Sequence, residues 1–484
     1  MAQFWPRPPP WPGKRPLRRQ TPRQPCRSAA HAPDRREPVM KRIFFALILV
    51  LASGAVGAQA PAPNAWSNED YDFYAGDFNG DGYTDLLYVA RNPSNPSGIL
   101  LSDGTAPTIA WQSWASDYLG IPWSSNAYTV VVGDFNEDGK TDIFLQSNIP
   151  GDSYLLLTDS SGKITAISQT LPAQAMGLVW SADQHRLVVG DFNGDRHADL
   201  FFQPVAPGGL SAVVYSDANG QFTSATPAQS WNDGYLGFNW SVPEATIYAG
   251  DFNGDGRSDL LIQAWPQNLG TANGITNYNY PPNLNGVVLA QPASGGQPFT
   301  MSGVQSWSRN TYGVDWSPLN FTLVIGDFNG DGRSDALFQP LTASGSAALL
   351  LGHSPGAIFT NGQAALPTNV GMSADVATLI PGDFAGGKAA GLLIQATSRT
   401  GNNSIARNIT SGIRAGGLAL PTLTATSVQP APAPSKTGAS APAPLAATVT
   451  PTSAGRTAGQ FSVTPTGAAS YNIPLWTPPG ARGI

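Results

Sequence analysis

Cysteine is almost absent from this 484-residue chain: there is one, Cys26, near the N-terminus. No disulfide framework therefore holds the fold together. Charged residues are scarce at 12%, which argues against long, ion-pair-laced amphipathic helices. Beyond the N-terminal arm the only histidines are His185, His197 and His353, and no Ser-His-Asp set is suggested. The apolar run over residues 43–52 is too short to span a bilayer comfortably. What the chain does have is 53 glycines, 43 prolines and 10% aromatic residues. That composition describes many tight turns around a substantial core.

Charge is distributed unevenly. Residues 1–39 carry nine Lys/Arg against Asp34 and Glu37, whereas beyond residue 60 there are 15 basic and 30 acidic residues. An acidic body lacks the basic footprint that phosphate contacts require, so nucleic acid is excluded as a partner. It suits cations.

Met40, Lys41 and Arg42 precede the apolar run, and small residues follow it. A basic start, a short apolar stretch and an A-x-A or V-x-A cleavage region form a signal peptide over residues 40–60, with Val56-Gly57-Ala58 or Ala58-Gln59-Ala60 before the cut. A signal peptide should begin a protein, so the basic, Pro/Arg-rich residues 1–39 are read as an extension that is not native. The mature protein is then secreted, periplasmic or on the cell surface, with no transmembrane span.

One motif recurs. Gly76-Asp77-Phe78-Asn79-Gly80-Asp81-Gly82-Tyr83-Thr84-Asp85 returns at 133–142, 190–199, 250–259 and 326–335, and a decayed copy begins at Gly382-Asp383-Phe384. Successive first aspartates are 57, 57, 60, 76 and 56 residues apart. Such a period marks one repeated supersecondary unit. In each unit an apolar run enters the motif (Thr129–Val132) and another leaves it (Ile143–Leu145). A third follows (Tyr154–Leu157), then a Gly-containing turn and a weaker fourth run. Four antiparallel strands per unit make a propeller blade. The fold class is all-β, a β-propeller of six or seven four-stranded blades over about residues 64–415. The glycine before the first Asp is expected to relieve a strained backbone. The phenylalanine after it persists in the decayed copy and is expected to be a core residue.

Counting from the first Asp, oxygen-bearing side chains fall at positions 1, 3, 5 and 9. They are Asp77, Asn79, Asp81 and Asp85; Asp134, Asn136, Asp138 and Asp142; Asp191, Asn193, Asp195 and Asp199; Asp251, Asn253, Asp255 and Asp259; and Asp327, Asn329, Asp331 and Asp335. Alternate oxygens on a tight loop can wrap one hard cation, with the position-7 carbonyl adding a ligand and a position-6 glycine permitting the turn. Three carboxylates in one loop repel one another without it. An all-oxygen, flexible cage favours Ca2+, about five ions in all. This is not an EF-hand, because position 12 is Tyr88, Leu145, Phe202, Ile262 or Phe338 where that loop needs Glu. The third loop is expected to be weakest, since Arg196 stands at position 6. The sixth, with Ala385, Gly387 and Gly391 at positions 3, 5 and 9, is expected to hold no ion.

The motif resembles the FG-GAP/VCBS repeat, the calcium-loop blade of integrin α-chain propellers and of many bacterial surface proteins. The resemblance implies a propeller with calcium in the loops between strands of a blade. A Pro/Ala/Ser/Thr-rich linker follows at residues 427–457. Strand pattern returns from Gly459 to Trp476, and with Pro478-Pro479-Gly480 this stretch resembles the opening of the RHS/YD-repeat region of Tc-toxin B-subunits and SpvB-like proteins. That resemblance implies a β-rich continuation of which residues 458–484 are a truncated start, and residues 427–484 are expected to pack weakly.

Other constellations have simpler readings. Gly352-His353-Ser354-Pro355-Gly356 matches G-x-S-x-G but aligns with a hairpin turn. Gly139-Lys140-Thr141 is a variant of the cation loop, not a phosphate loop. The Trp pairs 114/123, 231/240 and 307/316 follow the blade period and read as blade packing before sugar platforms. The fourth repeat has the longest insertion, and its Tyr278, Asn279, Tyr280, Pro281 and Pro282 are the candidate ligand contacts. The expectation is an exported, non-enzymatic adhesion or interaction module whose partner is a protein or glycan at or outside the cell surface. The alternatives are a lectin and, behind it, a polysaccharide lyase or hydrolase.

Overall fold

A computed structural model describes residues 65–421, apart from 273–274, 280–284, 293–299, 354–357, 361–362, 365, 388 and 419, together with a two-stranded hairpin that pairs Gln460–Val463 with Ala469–Asn472. The N-terminal extension, the signal segment, the 427–457 linker and most of 458–484 lie outside the described residues, as does the expectation about how 427–484 packs.

Six four-stranded antiparallel blades follow one another along the chain. The first comprises Tyr71–Gly76, Asp85–Ala90, Ser97–Ser102 and Pro107–Trp114. The first strands of blades two to six are Tyr128–Gly133, His185–Gly190, Ala245–Gly250, Phe321–Gly326 and Ala377–Gly382. In every blade the first strand pairs with the second so that the residue before position 1 faces position 9, as Gly76 faces Asp85 and Gly133 faces Asp142. The motif loop is thus always the connection between strands one and two.

Strands of a half-buried antiparallel sheet alternate apolar and polar residues. These do not: Tyr71–Gly76 and Asp85–Ala90 are buried throughout. The reason is that a blade is covered on both faces by its neighbours. The core accordingly divides into six apolar clusters, one per pair of adjacent blades. The sixth joins Tyr71, Phe73 and Tyr88 of blade one to Ile380, Phe384 and Leu393 of blade six. Six blades therefore close the ring, and no seventh is involved. Each motif phenylalanine (Phe78, Phe135, Phe192, Phe252, Phe328, Phe384) is no more than 1% exposed and sits in the cluster shared with the next blade. The tryptophans of the three periodic pairs and Trp180 are buried in the same clusters, as blade packing requires.

Backbone hydrogen bonds also run round the ring. The position-8 amide of each loop donates to the position-1 carbonyl of the preceding loop: Thr141 to Asp77, Ala198 to Asp134, Ser258 to Asp191, Ser334 to Asp251 and Ala390 to Asp327, with Thr84 to Asp383 completing the circle, at 2.6–3.0 Å. This contact explains the recurrent glycine before position 1, and corrects the strain expected of it. None of those six glycines has a positive φ. A Cβ on Gly76 would instead lie 2.5 Å from the Thr141 side chain, and one on Gly190 2.6 Å from that of Ser258. At five of the six positions glycine is there because the next blade comes that close; at Gly326 the nearest atom of the next blade, on Pro381, would be 3.5 Å away.

Where the repeat is interrupted, so is the regularity. In blade four the link between strands two and three is a hairpin of its own, Gln267–Ala272 with Ile275–Asn279. Tyr278 and Asn279 of the expected ligand contacts lie in it; 280–282 are outside the described residues. Gly352 bridges Phe359 in antiparallel fashion and the His353 N–H donates to the Ile358 carbonyl; 354–357, which include the Ser of the G-x-S-x-G match, lie outside the described residues.

Candidate metal loops

Within each intact loop the acidic side chains run from solvent to core. In the first, Asp81 at position 5 is exposed, Asn79 is half-buried, Asp77 is 2% exposed and Asp85 is fully buried. The position-1 carboxylate organises the turn: Asp77 accepts from the amides of Gly80 (2.7 Å), Asp81 (3.1 Å) and Gly82 (2.7 Å). Asp191, Asp251 and Asp327 repeat the pattern. Position 5 accepts from the amide two residues on, as Asp81 does from Tyr83 at 2.8 Å. These local acceptors are why Asp/Asn/Gly sequences adopt the loop without assistance.

Position 9 has a second task that the spacing did not reveal. One oxygen of Asp85 accepts from the Phe78 amide and the other from Ser102, at the end of the third strand. Asp142, Asp199, Asp259 and Asp335 do the same with Thr158, Ser216, Ala290 and Gly352. This carboxylate stitches the loop to the sheet. In the sixth blade Gly391 replaces it, and a Cβ there would lie 2.5 Å from the Ala406 carbonyl oxygen. The end of the third strand leaves no room there for a side chain at position 9.

The electrostatics are those of a site short of positive charge. Burial pushes Asp77, Asp134 and Asp191 up to about 7 and Asp251 to about 6, against the relief given by backbone amides in each loop. Asp327 is raised for the same reason. Burial also raises Asp85 to about 8, with the charges of Asp77 and Asp81 adding to it, and holds Asp142, Asp199, Asp259 and Asp335 well above the usual carboxylate range. At neutral pH such carboxylates need a proton or a cation. The donor set of three carboxylates and one carboxamide fits a hard divalent ion. Among the described residues no three acidic, histidine or cysteine side chains are gathered closely enough to grip a metal, so positions 1, 3, 5 and 9 share a loop without forming a closed cage.

Basic residues reach into several loops. At position 7, Lys140 is 3.3 Å from Asp138, Arg257 2.5 Å from Asp255 and Arg333 3.7 Å from Asp331. Arg196 at position 6 of the third loop has φ of 74° and pairs with Glu137 of the second loop at 2.9 Å. Glu137, itself at φ of 56°, occupies a position-4 slot that is glycine in the other four intact loops.

The model of the FG-GAP-like repeat family matches residues 77–145, 134–202 and 191–262, each running from one motif loop through the second strand of the following blade. The ring is an FG-GAP-like repeat propeller. No curated protein matches the chain. Similar solved structures include a lectin from Agrocybe aegerita that recognises non-reducing terminal N-acetylglucosamine (16% identity, TM-score 0.43, 72% of this chain and 79% of that one). A rhamnogalacturonan lyase of Bacillus licheniformis is 11% identical with TM-score 0.32, over 73% of this chain and 72% of its own. The Tc holotoxin pore of Photorhabdus luminescens is 13% identical with TM-score 0.38, over 69% of this chain and 14% of the toxin chain. At these values the likenesses say nothing about what this propeller binds.

The FG-GAP-like propeller also carries a latch that sequence reasoning missed. Gln146, Gln203, Gln263, Gln339 and Gln395, at the same place in the second strand of blades two to six, each donate to the carbonyl of the first residue of the next blade's first strand: His185, Ala245, Phe321, Ala377 and Tyr71, at 2.7–3.0 Å. The signal was present as Leu-Gln, Phe-Gln and Ile-Gln four residues after position 9. Blade one has Val89 there.

Proposed function

We propose that this chain is an exported, calcium-binding interaction module with no catalytic activity, acting on a protein or glycan at or outside the cell surface. The observation that carries the calcium reading is the repetition of one loop five times, with buried carboxylates raised in the same way at positions 1 and 9. Calcium would be held by the oxygens at positions 1, 3, 5 and 9 and would supply the charge those carboxylates lack. The signal-like segment 40–60 supports export. No helix among the described residues is long and apolar enough to cross a membrane. The resemblance of residues 459–480 to an RHS opening supports placement at the N-terminal side of an RHS- or toxin-type protein, and a reading frame encoding RHS repeats beyond codon 484 is the observation that tests it.

Calorimetric titration of the full chain tests the calcium reading. Five ions are expected to bind, and four for Asp255→Ala, with no ion at Asp383. Absence of calcium binding, or an ion at Asp383, overturns it; loss of all sites with that one substitution would mean that the ring binds as one cooperative unit.

A further inference from the structure

Where a repeat protein departs from its own repeat, the departure is not needed for the ring and is free to serve a ligand. Blade four departs most. The residue that follows its second strand is Trp265, in a slot held by Arg91, Asn148, Val205, Leu341 and Thr397 in the other blades. The backbone there does the same thing in all six: the Trp265 amide donates to the Glu244 carbonyl just as the Val205 amide donates to Gln184. Only the side chain is new. Unlike the tryptophans of the periodic pairs, it is not sealed in a blade interface but half-buried at the surface.

Trp265 lines a cavity of about 240 Å³ together with Asn239, Pro243, Glu244, Gln267 and Asn268. The cavity lies at the base of the inserted hairpin, at the end of the second strand remote from the position-9 residue Asp259. The indole is fixed, because its N–H donates to the Thr246 hydroxyl at 3.1 Å. A second part of the lining is fixed too: Glu244 accepts from the Asn239 amide at 3.1 Å and from the Ser241 hydroxyl at 2.8 Å. A small pocket therefore exists with one oriented aromatic ring, a proline, and a rim of carboxamides that can both donate and accept.

We propose that this pocket binds a single neutral sugar residue of a glycan. Its aromatic wall offers a flat apolar surface to the C–H face of a pyranose, and Asn239, Gln267 and Glu244 offer paired donors and acceptors to the ring hydroxyls. The lining contains no cationic side chain, which disfavours phosphate or sulfate. A single carboxylate, already accepting two hydrogen bonds, is a poor cage for a metal. The proposal rests on the reading of the propeller as an interaction module and names its ligand class.

The test is titration of the full chain with the methyl glycosides of glucose, galactose and N-acetylglucosamine, followed by tryptophan fluorescence and by saturation-transfer NMR, in calcium and in chelator. At least one glycoside is expected to saturate in both buffers, and Trp265→Ala to weaken it by about tenfold or more. Trp111→Ala, at another surface tryptophan, is expected to leave binding unchanged. Should Trp265→Ala unfold by circular dichroism, Gln267→Ala on the exposed rim decides, with a several-fold loss expected. Failure of all three glycosides to saturate, or full retention of binding by Trp265→Ala or by a folded Gln267→Ala, overturns the proposal. Loss of sugar binding in chelator moves the ligand to the calcium loops and overturns it as well. Calcium titration is read separately, so failure of the calcium reading leaves this result intact.

Discussion

At position 9 a single buried carboxylate faces two backbone amides, and the geometry makes it hard to replace. Asp142 accepts from Phe135 at 3.0 Å and from Thr158 at 2.8 Å. Asparagine has the same shape but only one acceptor oxygen, so Asp142→Asn turns an N–H toward an N–H. Leaving a buried amide without its partner costs about 1–3 kcal/mol, and a fall of that size in urea-unfolding free energy is expected even in chelator. An unchanged midpoint would mean the loop is stitched to the sheet by something else. Asp70 behaves in the opposite way. Its hydrogen bonds from Arg399, at 2.8 and 2.5 Å, hold its carboxyl below the ordinary value. A depressed folded-state pKa contributes stability above the unfolded value, about 4 for aspartate, and that contribution disappears as the pH falls through the folded value. Asp70→Asn should therefore lower the melting midpoint slightly at pH 7, slightly because Arg399 is half-exposed. The two proteins should converge as the pH falls below the folded value, and a difference that stays constant through acid pH would deny the ion pair its part.

At the scale of the strand and the loop, the glutamine latches make a prediction that separates packing from hydrogen bonding. Gln203→Leu keeps the volume but removes the donor to the Ala245 carbonyl. The expected cost is about 1–2 kcal/mol in urea unfolding. The natural exception, Val89, shows that an apolar residue can occupy the slot, so Val89→Gln is expected to be neutral or mildly stabilising. The strands, the loops and the inward phenylalanines were legible in the sequence because each is written in consecutive residues: a β-branched run, an Asp/Asn/Gly turn, an aromatic at fixed offset. Their partners were not. Gly190 faces Ser258 and Gln203 faces Ala245 across blade boundaries, and no local pattern states which face of one blade meets which edge of the next. The insertion in blade four could be seen as extra length, but not as a hairpin with a pocket at its base. The candidate loops were legible as a set of oxygens; the stitching by position 9 was not, because it depends on where the third strand ends.

For the molecule as a whole, charge and topology act together. Beyond residue 60 acidic side chains exceed basic ones by 15, and much of that excess is concentrated in five loops joined in a circle. Five divalent ions would remove ten of those charges and the repulsion they cause. A ligand that binds the folded state alone at 100 times its Kd adds about 2.7 kcal/mol per site. Millimolar calcium is therefore expected to raise the melting midpoint by at least several degrees over chelator, less so at high salt. An identical midpoint in the two buffers would mean that the loops are held by their own hydrogen bonds and need no ion.

The seam between blades six and one carries the same two contacts as the seams between blades two and three, three and four, four and five, and five and six. Thr84 and Asp383 share the same backbone bond as the other five loop pairs, and Gln395 reaches Tyr71 as Gln203 reaches Ala245. No strand is exchanged across it, and the indole of Trp66 donates to the Pro421 carbonyl at 2.9 Å, so the two ends of the ring touch. A circle assembled in this manner has no privileged starting point. Joining residue 421 to residue 65 through a short glycine-serine link and opening the chain anew between blades three and four, within 232–234, should give a permuted protein with the same circular-dichroism spectrum and the same calcium stoichiometry. If only the original order folds, some blade must template the others, and the likeness of this seam to its neighbours would be one of form without being one of energy.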